Sequence, residues 1–246
     1  MNTVSNANDD RRRAQARAAR TYARMAGVLF VLSIVGGGLG EAYIPSQLIA
    51  SADATATANN IHAFASLFRW GFAAYLLEAA CDITLALIFY ALLRPVQKYL
   101  SLLAAFFGLV STAVFAGAEL FYFAALHILG GANYLKSFSP DQLNTLALLS
   151  LKVYGLGGGI FMAFYGIAWV IRGYLISRSG YFPKALGLLL VLGGLGFITK
   201  NLTLVLAPSY ASDFLLLPMF IAGMLLMVWL LVKGVDVAKW EAKPAL

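Results

Sequence analysis

Along this chain the apolar residues neither alternate with polar ones nor mark a single face of each helix. They come in continuous runs separated by short polar or proline-bearing stretches. Six runs stand out: Tyr22 to Ala42, Phe68 to Leu93, Leu100 to Leu129, Lys152 to Ile176, Ala185 to Leu206 and Phe214 to Val232. Each meets or exceeds the roughly 20 residues an α-helix needs to cross a hydrocarbon core about 30 Å thick. Transmembrane β-strands are excluded, because they read as alternating segments of about ten residues. The pattern predicts an all-α, polytopic membrane bundle of six transmembrane helices over 22–233, with a basic tail at 1–21 and a second tail at 234–246.

The segments between the runs carry turn and cap signals. Residues 1–20 are polar and charged with no apolar face, which predicts a disordered or surface-lying tail. Ile44 to Ser66 reads as an outside segment, broken at Pro45-Ser46 and holding a short helix capped by Asp53. Arg94-Pro95-Val96-Gln97-Lys98 reads as a tight hairpin whose proline stops the incoming helix. Ser139-Pro140-Asp141-Gln142 is a helix start: a serine cap, proline at the first helical position and glutamine three residues after the cap. A helix from there to Ile176 is ~55 Å long at 1.5 Å per residue, so a break or bend is expected near Gly155, Gly157, Gly158 and Gly159. Gly36 with Gly40, Gly155 with Gly159, and the group Gly193, Gly194 and Gly196 are expected packing seams, since small residues let helices approach closely in lipid.

Composition excludes a soluble fold: 61% of the residues are hydrophobic and 12% charged, against about a quarter charged in soluble domains. The basic residues set the orientation, because they collect on the cytoplasmic side. With the N-terminus inside, 14 of the 18 fall on that side, and only Arg69, Lys136, Lys152 and Lys200 on the other. Both termini are therefore expected in the cytoplasm. The net charge of +7 reads as a topology signal, and the Arg11 to Arg24 stretch as a contact for anionic headgroups rather than for nucleic acid. The lipid bilayer is thus the expected partner. A single cysteine, Cys81, excludes an internal disulfide. Ala50-Ser51-Ala52 resembles a signal cleavage site but lies too far beyond the apolar core, so a retained first span is expected.

Several local motifs carry a family resemblance. They are Gly40-Glu41-Ala42-Tyr43-Ile44-Pro45-Ser46, Phe68-Arg69-Trp70-Gly71-Phe72, Tyr75-Leu76-Leu77-Glu78, Cys81-Asp82-Ile83, Leu92-Leu93-Arg94-Pro95-Val96, and Gly173-Tyr174-Leu175-Ile176 with Pro183 and Leu186-Gly187. Together they resemble a bacterial family of multi-spanning membrane proteins, the domain-of-unknown-function family numbered 4386, over nearly all of Tyr22 to Trp240. The resemblance implies a bacterial inner-membrane location and adds no chemistry.

Chemistry is sought instead in ionisable groups inside the spans, which are costly there and often mark a pathway or site. Counted from the cytoplasmic ends, Glu41 lies ~26 Å deep, Glu78 ~22 Å, Asp82 ~16 Å, Glu119 ~27 Å and Lys200 ~22 Å. Glu78 and Asp82 are one turn apart, on a face shared with Tyr75, and Asn201 adjoins Lys200. Three acids and a lysine at one level cannot all carry charge cheaply. The residues thus predict a transporter-like polar cavity in the outer half of the bilayer. It would bind a cation, proton or small solute through Glu41, Tyr75, Glu78, Asp82, Glu119, Lys200 and Asn201, with Lys200 as the charge partner. A competing reading is a buried network in which Lys200 pairs with Glu78 or Glu119. Others are a membrane-embedded enzyme for a lipid or isoprenoid headgroup, and a non-catalytic accessory subunit. No nucleophile elbow, His-Glu-x-x-His helix or paired-cysteine motif supplies a catalytic residue or implies a cofactor. A metal held by Glu78, Asp82, Glu119 and His127 is a further reading, since carboxylate and imidazole suit several divalent ions.

Overall fold

A backbone surrounded by lipid finds no water for its N–H and C=O groups, and helices satisfy those groups within one segment. The computed structural model, which describes residues 2–243 with side chains from Ala18 onward, is accordingly helical, with no strand among the described residues. The elements are α1 (Asn2–Gly37), a π-helical segment (Gly38–Tyr43), α2 (Ile44–Leu48), α3 (Ala54–Ala63), α4 (Ala65–Leu93) and α5 (Lys98–Ile128). After these come α6 (Pro140–Ser179), α7 (Lys184–Leu206), α8 (Leu217–Val232) and α9 (Val237–Glu241). Six stretches among the described residues are long and apolar enough to cross a membrane: Ala18–Leu48, Ala65–Leu93, Lys98–Ile128, Pro140–Ser179, Lys184–Leu206 and Asp213–Val232.

The helix ends follow their local chemistry. Asp53 caps α3, its carboxylate accepting from the Ala56 N–H at 2.8 Å. At the start of α6 the capping box closes in both directions, with the Ser139 N–H donating to Gln142 Oε1 at 2.8 Å and the Gln142 N–H to Ser139 Oγ at 3.3 Å. Gly180 and Gly234, just past α6 and α8, take φ of 78° and 66°, a left-handed conformation that glycine adopts without a Cβ penalty.

Two expectations fail for backbone reasons. The first span does not break at Pro45: it continues to Leu48 through the π-helical segment, and Pro45 sits in the first turn of α2. Proline lacks an N–H and its ring clashes with the carbonyl four residues earlier. The helix upstream widens instead, the Ile44 N–H donating to Leu39 O, five residues back. Nor do Gly155 to Gly159 break α6, which is helical throughout its 40 residues. Glycine weakens a helix interior by only about 1 kcal/mol each, which a packed helix in lipid tolerates.

The chain divides into two compact units, one of Met1–Val31, Asp82–Val110 and Met162–Leu246 and the other of Leu32–Cys81 and Ser111–Phe161. In the first, Phe30, Phe89 and Trp169 pack edge to face or tilted at 5.7 to 5.9 Å between ring centroids. Helices α6 and α7 meet through glycines: a Cβ on Gly173 would stand 2.6 Å from Gly187 O, and one on Gly194 2.6 Å from Gly166 O. The last turn of α4 leaves carbonyls without helical donors, and the Leu92 carbonyl accepts from the Tyr181 hydroxyl at 2.7 Å and the Trp240 indole at 3.0 Å. Burial pushes the Tyr181 phenol well above its ordinary pKa, so it remains a neutral donor. In the second unit Phe68 and Tyr122 stack almost parallel at 4.1 Å, and the Tyr122 hydroxyl donates to Phe68 O at 3.1 Å.

Gly173→Leu should lower the thermal midpoint in detergent, since overpacking costs about 1–3 kcal/mol. Gly223→Ala, with nothing within 4 Å of the added carbon, should be neutral or stabilising. Equal midpoints for the two variants would count against the glycine seam.

Candidate functional site

The second unit gathers carboxyls from three elements. Glu41 comes from the π-helical segment, Glu78 from α4 and Glu119 from α5, while α6 contributes Tyr154. All three acids lie within electrostatic range of the Tyr154 hydroxyl, as does the Tyr122 phenol. Glu119 is the most enclosed of them, at 2% exposure. Its side chain has Tyr154 as a hydrogen-bond partner and feels the Glu78 charge, while its Oε2 is buried and accepts no hydrogen bond. Glycines make room for these groups: a Cβ on Gly37 would stand 2.7 Å from Glu78 Oε1, and one on Gly71 2.6 Å from the Tyr122 hydroxyl. Tyr75, also fully enclosed, meets Phe115 edge-on at 5.1 Å.

The helical environment of Glu41 has a local cause. Residue 41 is four before Pro45, whose missing N–H and bulky ring prevent the α-helical bond to its carbonyl. The wider turn that results is the kind often found at functional sites in helices.

The first unit holds a different centre. Arg172, on α6, is 3% exposed, and its guanidinium carbon lies 5.5 Å from the Phe89 ring centroid and 5.0 Å from that of Trp169. Asp82 and Tyr165 are within electrostatic range of it. Gly108 provides clearance on another side, where a Cβ would stand 2.7 Å from Arg172 Nη2. Arginine stays protonated at any ordinary pH, so Asp82 supplies the counter-charge and the aromatic faces add cation–π attraction. Read from the sequence, Arg172 is only one of the basic residues counted toward orientation. The overlooked signal is its spacing, seven residues inside the end of α6 with Trp169 one turn before it.

The Lys200 ammonium lies 3.5 Å from Asp213 Oδ1 at the start of the last span. The sequence could not show that the turn after α7 brings Asp213 back to it. Asn201 is buried and donates from Nδ2 to Phe197 O at 2.8 Å. Glu41, Glu78 and Glu119 thus fall together around Tyr154, whereas Asp82 faces Arg172. The three acids around Tyr154 are within electrostatic range of its hydroxyl, yet among the described residues no group of three or more His, Cys, Asp or Glu is close enough together to ligate one metal ion, and that includes Glu78, Asp82, Glu119 and His127.

A family model described as Domain of unknown function (DUF4386) matches residues 25–234. A protein of Archaeoglobus fulgidus described as uncharacterized is 29% identical over 163 residues, which cover 66% of this chain and 83% of the relative. No solved structure matches.

Arg172→Met removes an enclosed guanidinium and leaves Asp82 without that neighbouring charge, so it should destabilise by about 1–3 kcal/mol in detergent unfolding, with Asp82→Asn recovering part of the loss. Lys200→Met should cost under about 1 kcal/mol, as its partner Asp213 has a side chain 87% exposed. If Arg172→Met and Lys200→Met cost the same, Arg172 does not have the central role given to it here.

Proposed function

We propose that this chain, which belongs to the DUF4386 family, is a cation- or proton-linked transporter of the cytoplasmic membrane, with its ion site at Glu41, Glu78 and Glu119. The observation that carries the reading is Glu119, a carboxyl at 2% exposure with another acid close enough to repel it and one oxygen accepting no hydrogen bond. A carboxyl so placed is costly as a purely structural element, whereas a site that takes up and releases a proton or small cation needs it. Tyr154 supplies a hydroxyl that orients the Glu119 carboxyl, Tyr122 walls the site with its own hydroxyl committed to Phe68 O, and Tyr75 packs one turn before Glu78. The π-helical segment allows movement, because its backbone bonds are already out of α-helical register. By the distribution of basic residues the acids lie in the outer half of the membrane, which gives the site its entry from outside.

Purified protein in liposomes containing a pH-sensitive dye tests the reading. Under an imposed pH gradient, with sodium, potassium and small organic ammonium ions supplied in turn, the wild type should dissipate the gradient with at least one cation. Glu119→Gln should slow dissipation at least tenfold, while Gly223→Ala matches the wild type. A wild type that leaves every gradient intact, or a Glu119→Gln variant equal to it, would count against transport through these acids.

A further inference from the structure

Two nitrogen donors in the first unit have no acceptor. The indole Nε1 of Trp169 and the Nε of Arg172 are both buried and make no hydrogen bond, on side chains that are 2% and 3% exposed. They are one helical turn apart on α6 and so share a face, and the guanidinium lies 5.0 Å from the Trp169 ring centroid. Each donor is an N–H with no acceptor capacity of its own, so what completes the pair is an oxygen acceptor.

Charge decides what kind of acceptor. The guanidinium already has Asp82 within electrostatic range, and the two charges cancel. A second anion would leave this low-dielectric interior negatively charged, with no further cation to offset it, which is costly. A hydroxyl would bring a proton of its own, which would compete for Asp82 and Tyr165, the acceptors already within electrostatic range of the guanidinium. A carbonyl oxygen has two lone pairs and nothing to donate. The apolar walls and the position within a membrane span require that the rest of the molecule partition into lipid.

We propose that Trp169 and Arg172 form a binding site for a neutral, lipid-soluble molecule presenting a carbonyl oxygen, as a quinone or a long-chain ester does. Phe89 and Trp169, themselves edge to face, flank the guanidinium on one side, Gly108 leaves room for Nη2, and the Nε edge with the indole N–H grips the carbonyl. This site is independent of the acids around Glu119, and either can exist without the other.

Calorimetric titration of the detergent-solubilised full chain tests it, with a short-chain benzoquinone in one arm and a monoacylglycerol ester in the other. Saturable binding of one molecule per chain is expected in at least one arm, and the arm that binds identifies the source of the carbonyl. Trp169→Phe removes only the N–H, and Arg172→Lys keeps the charge facing Asp82 but removes the Nε donor. Each should weaken binding at least tenfold while the variant still melts cooperatively. Trp240→Phe, which alters an indole already donating to Leu92 O, should bind as the wild type does. Failure of both probes to saturate, or an unchanged affinity in a folded Trp169→Phe, would overturn the site and assign the two donors to ordered water.

Discussion

An arginine enclosed by protein inside a membrane span needs a counter-charge, faces that attract a cation and room for a planar fork, and the first unit provides all three around Arg172. Asp82 supplies the charge, Phe89 and Trp169 the faces, and Gly108 the room. These residues come from α4, α5 and α6, so one electrostatic requirement fixes how three helices are decorated. The aromatic packing of Phe30 against Phe89 and Trp169 then fits around a position already set by charge. Such a pair contributes little net stability compared with an apolar filling. What it imposes is specificity: side chains that do not meet its demands are excluded from those positions.

The second unit handles charge in the opposite way. It gathers acids and surrounds them with phenols, placing Glu119 beside Glu78 with Tyr154 as a hydrogen-bonding neighbour. Aromatic stacking, from Phe68 on Tyr122 to Phe115 on Phe161, gives these carboxyls rigid walls. Within one chain, then, a cation has its counter-charge at hand while a group of acids is held close together, and the two arrangements suit different chemical tasks.

How far the sequence revealed this varies with the physics involved. The spans were legible because continuous apolar runs of that length have few other uses, and caps such as Ser139 with Gln142 were legible because their bonds join residues three apart. The grouping of Glu41, Glu78 and Glu119 followed from depth along each helix, a quantity that residue counting supplies. Spacing along one helix puts Asp82 on the face of Glu78 but does not reveal which neighbouring helix lies opposite, and so gives no sign that Asp82 comes within electrostatic range of Arg172. The pairing of Lys200 with Asp213 is hidden for a related reason, since it depends on the path of a turn. Arg172 was hidden by a rule that counts basic residues near span ends without asking which of them point inward.

The π-helical segment Gly38–Tyr43 and Pro45 form a linked pair. A π-turn amounts to one residue inserted into an α-helix, and here the proline that cannot sit in a regular turn follows directly. A descendant that replaces the proline no longer needs the inserted residue, and one that deletes a residue can no longer keep the proline. Deleting one residue ahead of Pro45 would turn the rest of the span by about 100° about its axis and carry Ile44 and Leu48 out of the buried positions they occupy.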